Sequence, residues 1–306
     1  MPGCSICSSP EVELFCTAFD RISNHPEKRW QILRCRACGF GWTFPPLAEE
    51  EIAAYYPPAY LGDVRQTLDG FLAGTLQLSR SWRKEPEKVR LLERIVRTGR
   101  ILDVGSADSK FLLALDPRRW QRTGVEFNRE VVDLVRSKVP GLQLVTGDIY
   151  SQELPNLSFD VITFWHVFEH LPDPRRVLHR VYRLLRPGGW LFLSVPNFDS
   201  WQARLFRRHW YAFDDVPRHL HHFSPRSLEL LLQEAGIHFC RHVFFSRIVN
   251  IHCLKYSLIN WSEERFGSRR PYYFLKPFLF LFHFLESFSR HYGMLTTIGR
   301  RPLSGF

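Results

Sequence analysis

"RILDVGSADSKFLLAL", residues Arg100 to Leu115, reads as a short apolar strand, a tight turn and the start of a helix. Turns of this kind hold nucleotide-like ligands, because backbone groups and a helix start both face the bound molecule. Gly105 lets the chain turn sharply and approach a ligand closely. Outward from this unit the pattern alternates. Upstream, "EPEKVRLLERIVRTG" is amphipathic at helical spacing and is expected to end at Gly99. Downstream come a strand, "RTGVEF", and a helix, "NREVVDLVRSKV", with Asn128 as its cap. A third strand, "LQLVTGDI", and a fourth, "FDVITFWHV", precede the helix "DPRRVLHRVYRLLRPGG", expected to close on glycine, and a fifth strand, "WLFLSVPN". This alternation predicts an α/β fold with a doubly wound, mostly parallel sheet.

Ligands of such sheets bind beyond the carboxyl ends of the strands, where the strand order reverses. Asp103 to Ser109, Glu126 and Asp148 would converge there. Glu126 stands 23 residues after Asp103, close to the ~20-residue offset of a carboxylate that accepts from ribose hydroxyls. Asp148 ends the third strand, where it could accept from an adenine amino group.

These segments resemble the class I S-adenosylmethionine-dependent methyltransferases. "ILDVGSADSKFL" is similar to their first motif, "GVEFN" to the acidic second and "TGDI" to the third. "FDVITFWHVFEHLPDP", "LLRPGGWLFLSVPN" and "DDVPRHLHHFSPRSLELLLQEAGI" look like later segments of the small-molecule (type 11/23-like) branch. The resemblance covers residues 90 to 245 and implies a seven-stranded Rossmann-like sheet, with "HFCRHVFFSRIV" and "MLTTIGRRP" as strands six and seven. It implies S-adenosylmethionine as cofactor, bound by Asp103, Gly105, Ser106, Ala107, Glu126, Phe127, Asp148 and Ile149. One departure stands out. The family turn reads G-x-G-x-G, whereas this chain has Gly105, Ala107 and Ser109 at those places. Ala107 adds one methyl group, and Ser109 is expected to cap the helix. A dinucleotide would need a phosphate cradle and a third glycine. S-adenosylmethionine has no phosphate, so the departure argues against NAD more than against a methyl donor.

The first forty residues hold two C-x-x-C pairs, Cys4/Cys7 and Cys35/Cys38. Four thiolates at this spacing suit a tetrahedral Zn²⁺ with all positions filled by protein, hence a structural ion. The pattern also resembles the zinc ribbon of many bacterial members of the branch. The ribbon occupies residues 1–45, followed by a connector (46–84) and the methyltransferase domain (85–306), with an aromatic helical insertion at about 257–293. No apolar h-region opens the chain, and no apolar run reaches the ~18–20 residues of a membrane span. A cytoplasmic protein is expected, in which seven cysteines favour metal or free thiols over disulfides.

Net charge is +10, which suggests an anionic partner. Residues 246–306 carry nine Lys/Arg against three acidic residues, or +6 of that total. Within them, Phe274, Phe278, Phe282 and Leu285 recur at helical spacing while Leu279, Phe280 and Phe284 cover other faces. Basic and aromatic flanks around an apolar helix suit the interface of an anionic membrane, giving peripheral attachment at its inner face. The alternative is a helix buried against the core or a partner subunit.

The chemistry of methyl transfer needs positioning and, for a weak nucleophile, a base. His166 and His170 in "WHVFEHL" are the candidate catalytic residues. The Glu–His pair of this motif lies at the active site in the sugar and quinone-precursor enzymes that it resembles. Of the cluster "RHLHHF", Arg218 and His219 are candidate substrate contacts, and the segment reads as a substrate loop rather than a metal site. The acceptor is expected to be a small molecule, a sugar or a lipid-linked glycan or cell-envelope intermediate, methylated on oxygen or carbon. RNA methylation is the alternative. It is disfavoured because amino-base chemistry would place Asn/Asp-Pro-Pro-aromatic after the fourth strand, and nucleic acid is not an expected partner. A non-catalytic binding protein that retains the fold is the third reading.

Overall fold

The computed structural model describes residues 2–21, 27–47, 51, 55, 60–73, 85–151, 154–243, 247–289 and 291–303. Most of the connector at 46–84 lies outside them. Four strands form the first sheet: β1 (Val12–Ala18), β2 (Trp30–Cys35), β3 (Gly41–Phe44) and β9 (His221–His222). Helices α1 (Tyr60–Leu72) and α2 (Glu85–Glu93) lead into the second sheet. Its strands are β4 (Gly99–Val104), β5 (Trp120–Glu126), β6 (Gln143–Thr146), β7 (Phe159–Trp165), β8 (Leu185–Pro196), β10 (His238–Val243) and β11 (Met294–Arg300). Their spatial order is β10-β11-β8-β7-β4-β5-β6. The five strands β8-β7-β4-β5-β6 are parallel, and β11 runs antiparallel to both β8 and β10. The fold class and the roles of strands six and seven are as expected. The order reverses between β4 and β7, so the crevice lies beyond their carboxyl ends.

Alternation along the strands builds two cores. Leu102, Val104, Ile162, Phe164 and Leu191 face one side of the sheet, while Ile101, Val161 and Phe192 face the other. All seven residues of β7 are buried, as a central parallel strand covered on both faces requires. The helices over these faces are α3 (Lys110–Ala114), α4 (Arg129–Lys138), α5 (Pro174–Leu184), α6 (Trp201–Phe206) and α7 (Pro225–Glu234). Local chemistry sets their starts. Asn128 accepts from Val131 N at 3.1 Å, as the sequence predicts. Asp173 accepts from Arg176 N at 3.0 Å, with Pro174 in the first turn. Ser224 and Ser227 form a capping box.

Three local expectations are corrected. The helix read as far as Gly99 stops at Glu93, and Gly99 opens β4. The helix α5 does not close on glycine: it ends at Leu184, and Leu185 is already extended because the chain enters β8 there. "HLHHF" is not one substrate loop, since His221 and His222 form β9 and pair with Trp42 and Gly41. His222 is buried and bonded to Thr43 Oγ1 at 3.1 Å, and His221 contacts Pro172 O at 3.1 Å.

The first sheet is stitched to the second. Cys4, Ile6, Cys35, Cys38 and Phe40 share a hydrophobic cluster with Phe223, Leu228 and Leu231. Ser224 Oγ donates to Cys38 O at 2.6 Å, and Arg175 donates to Ile6 O at 2.9 Å. Between β10 and β11 the chain forms α8 (Arg247–Phe266), α9 (Arg270–Leu275) and α10 (Leu279–Ser289). These helices pack on Phe198, Trp210 and Phe213 from the segments after β8.

Candidate active site

The turn after β4 takes a left-handed backbone at three alternate positions, of which one is glycine. Gly105, Ala107 and Ser109 have φ of +69°, +44° and +58°. All three lie in the left-handed region, where a side chain costs about 1–2 kcal/mol. Ser109 is therefore no helix cap. Its left-handed backbone turns the side chain inward, where it is fully buried and makes no cap hydrogen bond. Gly105 is required on a second ground: a Cβ there would stand 2.6 Å from Val167 Cγ2. Gly124 in β5 makes room for Ser106, whose Oγ would lie 2.6 Å from an added Cβ. The hydroxyls of Ser106 and Ser109 are buried without a hydrogen-bond partner among the described residues.

Glu126 ends β5 almost fully buried, which raises its carboxyl above the usual range. It accepts from Ala107 N at 3.0 Å and Asn128 N at 3.1 Å, so it holds the turn in place. Phe127 beside it is 52% exposed. Asp148 is exposed beyond β6 and accepts from Tyr150 N at 2.7 Å, while Ile149 is buried. Asp103 sits inside β4 rather than at its tip. Its carboxyl accepts from Thr163 Oγ1 at 2.5 Å and is pushed up to about 7 by burial. It thereby ties β4 to β7.

A cavity of about 250 Å³ opens beyond the end of β7. His166, Glu169, His170 and His219 line it, together with Trp210, Tyr211, Asp215, His252 and Met294. His166 has φ +61° at the end of β7, the kind of strained backbone that clusters at functional sites. His170 Nδ1 lies 3.0 Å from Arg218 O and His219 Nδ1 lies 2.6 Å from Ala212 O. A carbonyl only accepts, so both Nδ1 atoms carry protons and both Nε2 atoms are bare. Burial, with the neighbouring His219, lowers His170 to about 3 and keeps it neutral. Burial also raises Glu169 to about 8. Arg218 does not reach into the cavity: it is buried, bonded to Asp215 Oδ1 at 2.6 Å and Tyr55 O at 3.2 Å. The structure thus brings His166, His170 and His219 together and gives Arg218 a bracing contact. Sequence reasoning missed the aromatic wall, Trp210 and Tyr211. Its signal was the run "HWYAFDD" just before His219.

The four N-terminal cysteines also meet. Cys4 and Cys38 sulfurs are 3.6 Å apart, as are those of Cys7 and Cys35, and all four lie within 4.8 Å of one another. Tetrahedral zinc–sulfur bonds of ~2.3 Å place sulfurs about 3.8 Å apart. The geometry is compatible with a zinc ribbon.

Helix α10 is inside out. His283 and Glu286 point into the protein, where Asn250 Nδ2 donates to Glu286 at 2.6 Å and Gln202 Nε2 does so at 3.2 Å. Phe280, Leu281, Phe284 and Leu285 are each more than half exposed. An apolar groove of about 340 Å³ runs beside them, lined by Phe206, Leu254, Leu258, Phe278 and Phe282 among others. Helix α8 contributes Cys253 to the polar cavity and Leu254 to the groove. No helix among the described residues is long and apolar enough to cross a membrane.

Residues 76–239 match the family described as a methyltransferase domain. The chain is 27% identical over 199 residues to the demethylmenaquinone methyltransferase of Listeria welshimeri, covering 56% of this chain and 83% of that protein. It is 29% identical over 150 residues to the ubiquinone biosynthesis O-methyltransferase of Pseudomonas aeruginosa, covering 45% and 64%. Its fold is similar to a chain in the complex of the Haloferax volcanii Trm112 methyltransferase activator with a methyltransferase. The TM-score is 0.52 and the identity 15%, over 78% of this chain and 98% of that one. A Bacillus halodurans C-125 protein described as a methyltransferase is similar with TM-score 0.50 and 15% identity, over 70% and 97%. At these identities the structural likeness shows the fold alone.

Proposed function

The chain belongs to the methyltransferase-domain family as an S-adenosylmethionine-dependent methyltransferase, and from that premise we propose that it methylates oxygen or carbon of a small, lipid-linked acceptor at a membrane surface. The observation that carries this reading is α10, which buries His283 and Glu286 and leaves Phe280, Leu281, Phe284 and Leu285 exposed. Burying Glu286 while leaving Phe280 and Phe284 in water is uphill on both counts. A lipid phase over that face removes the second cost, and Arg269, Arg270 and Lys276 nearby suit anionic headgroups. The groove and the cavity share α8, so an apolar tail in one would bring a polar head to the other. The relatives named for quinone precursors favour a small-molecule acceptor.

The residues present fit S-adenosylmethionine. Two buried hydroxyls lack partners among the described residues, Glu126 and Asp148 stand at and just beyond the ends of adjacent strands, and the exposed face of Phe127 can cover a flat base. When bound, the cofactor supplies an electrophilic methyl group. Glu126 would accept from the ribose and Asp148 from the adenine amino group. Ser106, Ala107 and Gly105 would bring the backbone against it, with Ile149 packed behind. Asp103 would act through the β4–β7 tie. His166 or His170 would take the proton that an acceptor loses, and His219 would contact the acceptor, with Arg218 bracing its loop. Cys4, Cys7, Cys35 and Cys38 would hold one structural Zn²⁺, in a ribbon (1–45) ahead of the connector (46–84) and methyltransferase domain (85–306).

The test uses S-adenosylmethionine labelled in its methyl group, with cell extract divided into lipid, RNA and soluble fractions. Label in the lipid fraction supports the reading, and label in RNA would replace it with the RNA alternative. Flotation with anionic liposomes tests the membrane face. The intact chain should float at low salt, and a variant with Phe280, Phe284 and Leu285 changed to Ser should not. An intact chain left in the soluble fraction would overturn peripheral attachment.

A further inference from the structure

Glu169, His170 and His219 meet in the wall of the polar cavity, and we infer that they form a binding site for a divalent transition-metal cation, separate from the cysteine cluster. The inference rests on that cavity being the acceptor site. One ligand atom from each residue lies within 4.8 Å of the others. Glu169 is 1% exposed, and neither of its carboxylate oxygens has a hydrogen-bond partner among the described residues. A buried carboxylate of this kind calls for a cation or a proton. Its neighbours are imidazoles, with His219 Nε2 and His166 Nδ1 each 3.9 Å from Oε1. That is too long for a hydrogen bond. It is close to the spacing of two ligands on one ion, since bonds of ~2.0–2.2 Å place neighbouring ligand atoms about 3–3.5 Å apart.

The imidazoles are prepared for ligation. The Nδ1 proton of each is fixed on a backbone carbonyl, Arg218 O for His170 and Ala212 O for His219. This is the outer-shell bond that metal-bound histidines commonly make, and it leaves the Nε2 lone pairs available. The rings stand 4.6 Å apart. The backbone also locks the two ligand segments together, because Leu220 N donates to Glu169 O at 3.0 Å. On the other side, Thr43 Oγ1 donates to His219 O at 2.6 Å.

Two imidazoles and one carboxylate suit Mn²⁺, Fe²⁺, Co²⁺ or Zn²⁺ better than Mg²⁺ or Ca²⁺, which favour oxygen-only shells. All three residues line the cavity, so the remaining coordination positions would face an acceptor. A hydroxylated acceptor is the chemical class that such a site would take, its oxygen bound and made more acidic by the cation. His170 then serves as ligand, and His166 is left as the proton acceptor.

The probe is Mn²⁺, titrated into the full chain with its cysteine cluster zinc-loaded and followed by electron paramagnetic resonance of the free ion. One equivalent should bind. Glu169→Gln, which keeps the shape of a neutral carboxyl, and His219→Gln should each weaken binding by more than the ~10–100-fold typical of outer-shell changes. S-adenosylmethionine affinity, measured by calorimetry on the same samples, should stay intact and certify the fold. If His219→Gln does not fold, Glu169→Gln decides alone. No Mn²⁺ bound to the wild type, or equal binding by folded Glu169→Gln, would overturn the site. Methyl transfer to lipid without Mn²⁺ binding would overturn it while leaving the methyltransferase reading whole.

Discussion

Gly105→Ala is the sharpest test of how the turn is built. The new Cβ would meet Val167 at 2.6 Å from Cγ2, 2.8 Å from Cγ1 and 3.3 Å from Cβ. Overpacking of that kind costs about 1–3 kcal/mol. The left-handed backbone at φ +69° adds about 1–2 kcal/mol, and the stiffer unfolded chain returns about 0.4–1 kcal/mol. The net expectation is a loss of roughly 2–4 kcal/mol, within the ~5–15 kcal/mol that a folded domain commonly holds. Urea denaturation reads this loss, and calorimetry with S-adenosylmethionine reads the displaced turn. Val167→Ala removes both clashing methyl groups, so the double variant should keep only the backbone penalty, with a coupling of about 1–3 kcal/mol. If the two changes instead add to within about 0.5 kcal/mol, Val167 is not what excludes a side chain from position 105.

Glu286→Gln should flatten part of the pH dependence of stability. Burial raises Glu286 from 4.5 to about 7, so its contribution is full below the unfolded pKa and is lost as pH rises through about 7. The variant should gain on the wild type by up to roughly 3 kcal/mol at pH 8 and little at pH 4, read as denaturation midpoints; an equal gain at both values would refute burial as the cause. Asn128→Ala should cost about 1 kcal/mol in thermal melts while sparing Glu126, which contacts only the backbone N–H of residue 128. Elemental analysis of protein purified without chelators should find one zinc on the cysteine cluster. Stripping it should unfold the ribbon and weaken Mn²⁺ binding while leaving S-adenosylmethionine affinity in place; a protein without metal would refute the ribbon. Ala107→Gly should be neutral to stabilising in urea, since it removes a side chain from φ +44°.

The parallel core was legible because short apolar stretches alternate with amphipathic helices, two of which open on their own caps, Asn128 and Asp173. Asn128 and the apolar stripe of α5 are local signals, and local structure obeys them. The turn was legible in place but not in conformation. Nothing in "SADS" says that Ala107 and Ser109 take the left-handed path, because the neighbours that impose it, Glu126 and Val125, arrive from the next strand. For the same reason Ser109 read as a cap. His221 and His222 became a strand only because β3 offers its edge, some 180 residues upstream by chain. The orientation of α10 was hidden too. Apolar residues cover several of its faces, and the choice of inward face falls to Asn250 and Gln202 on other helices.

The pairing of β3 with β9 bears on how this chain can be cut. A fragment lacking the first 45 residues would leave an open strand edge at His221–His222 and remove Thr43 from beneath His219. The damage would be lopsided. The turn at Gly105 and the carboxylate of Glu126 stand on strands that the cut does not touch, whereas the loop carrying His219 would lose its anchor. Such a fragment should behave as a receptor for the methyl donor with a slack acceptor side, so a chain trimmed to the recognisable family core would make this protein look inert.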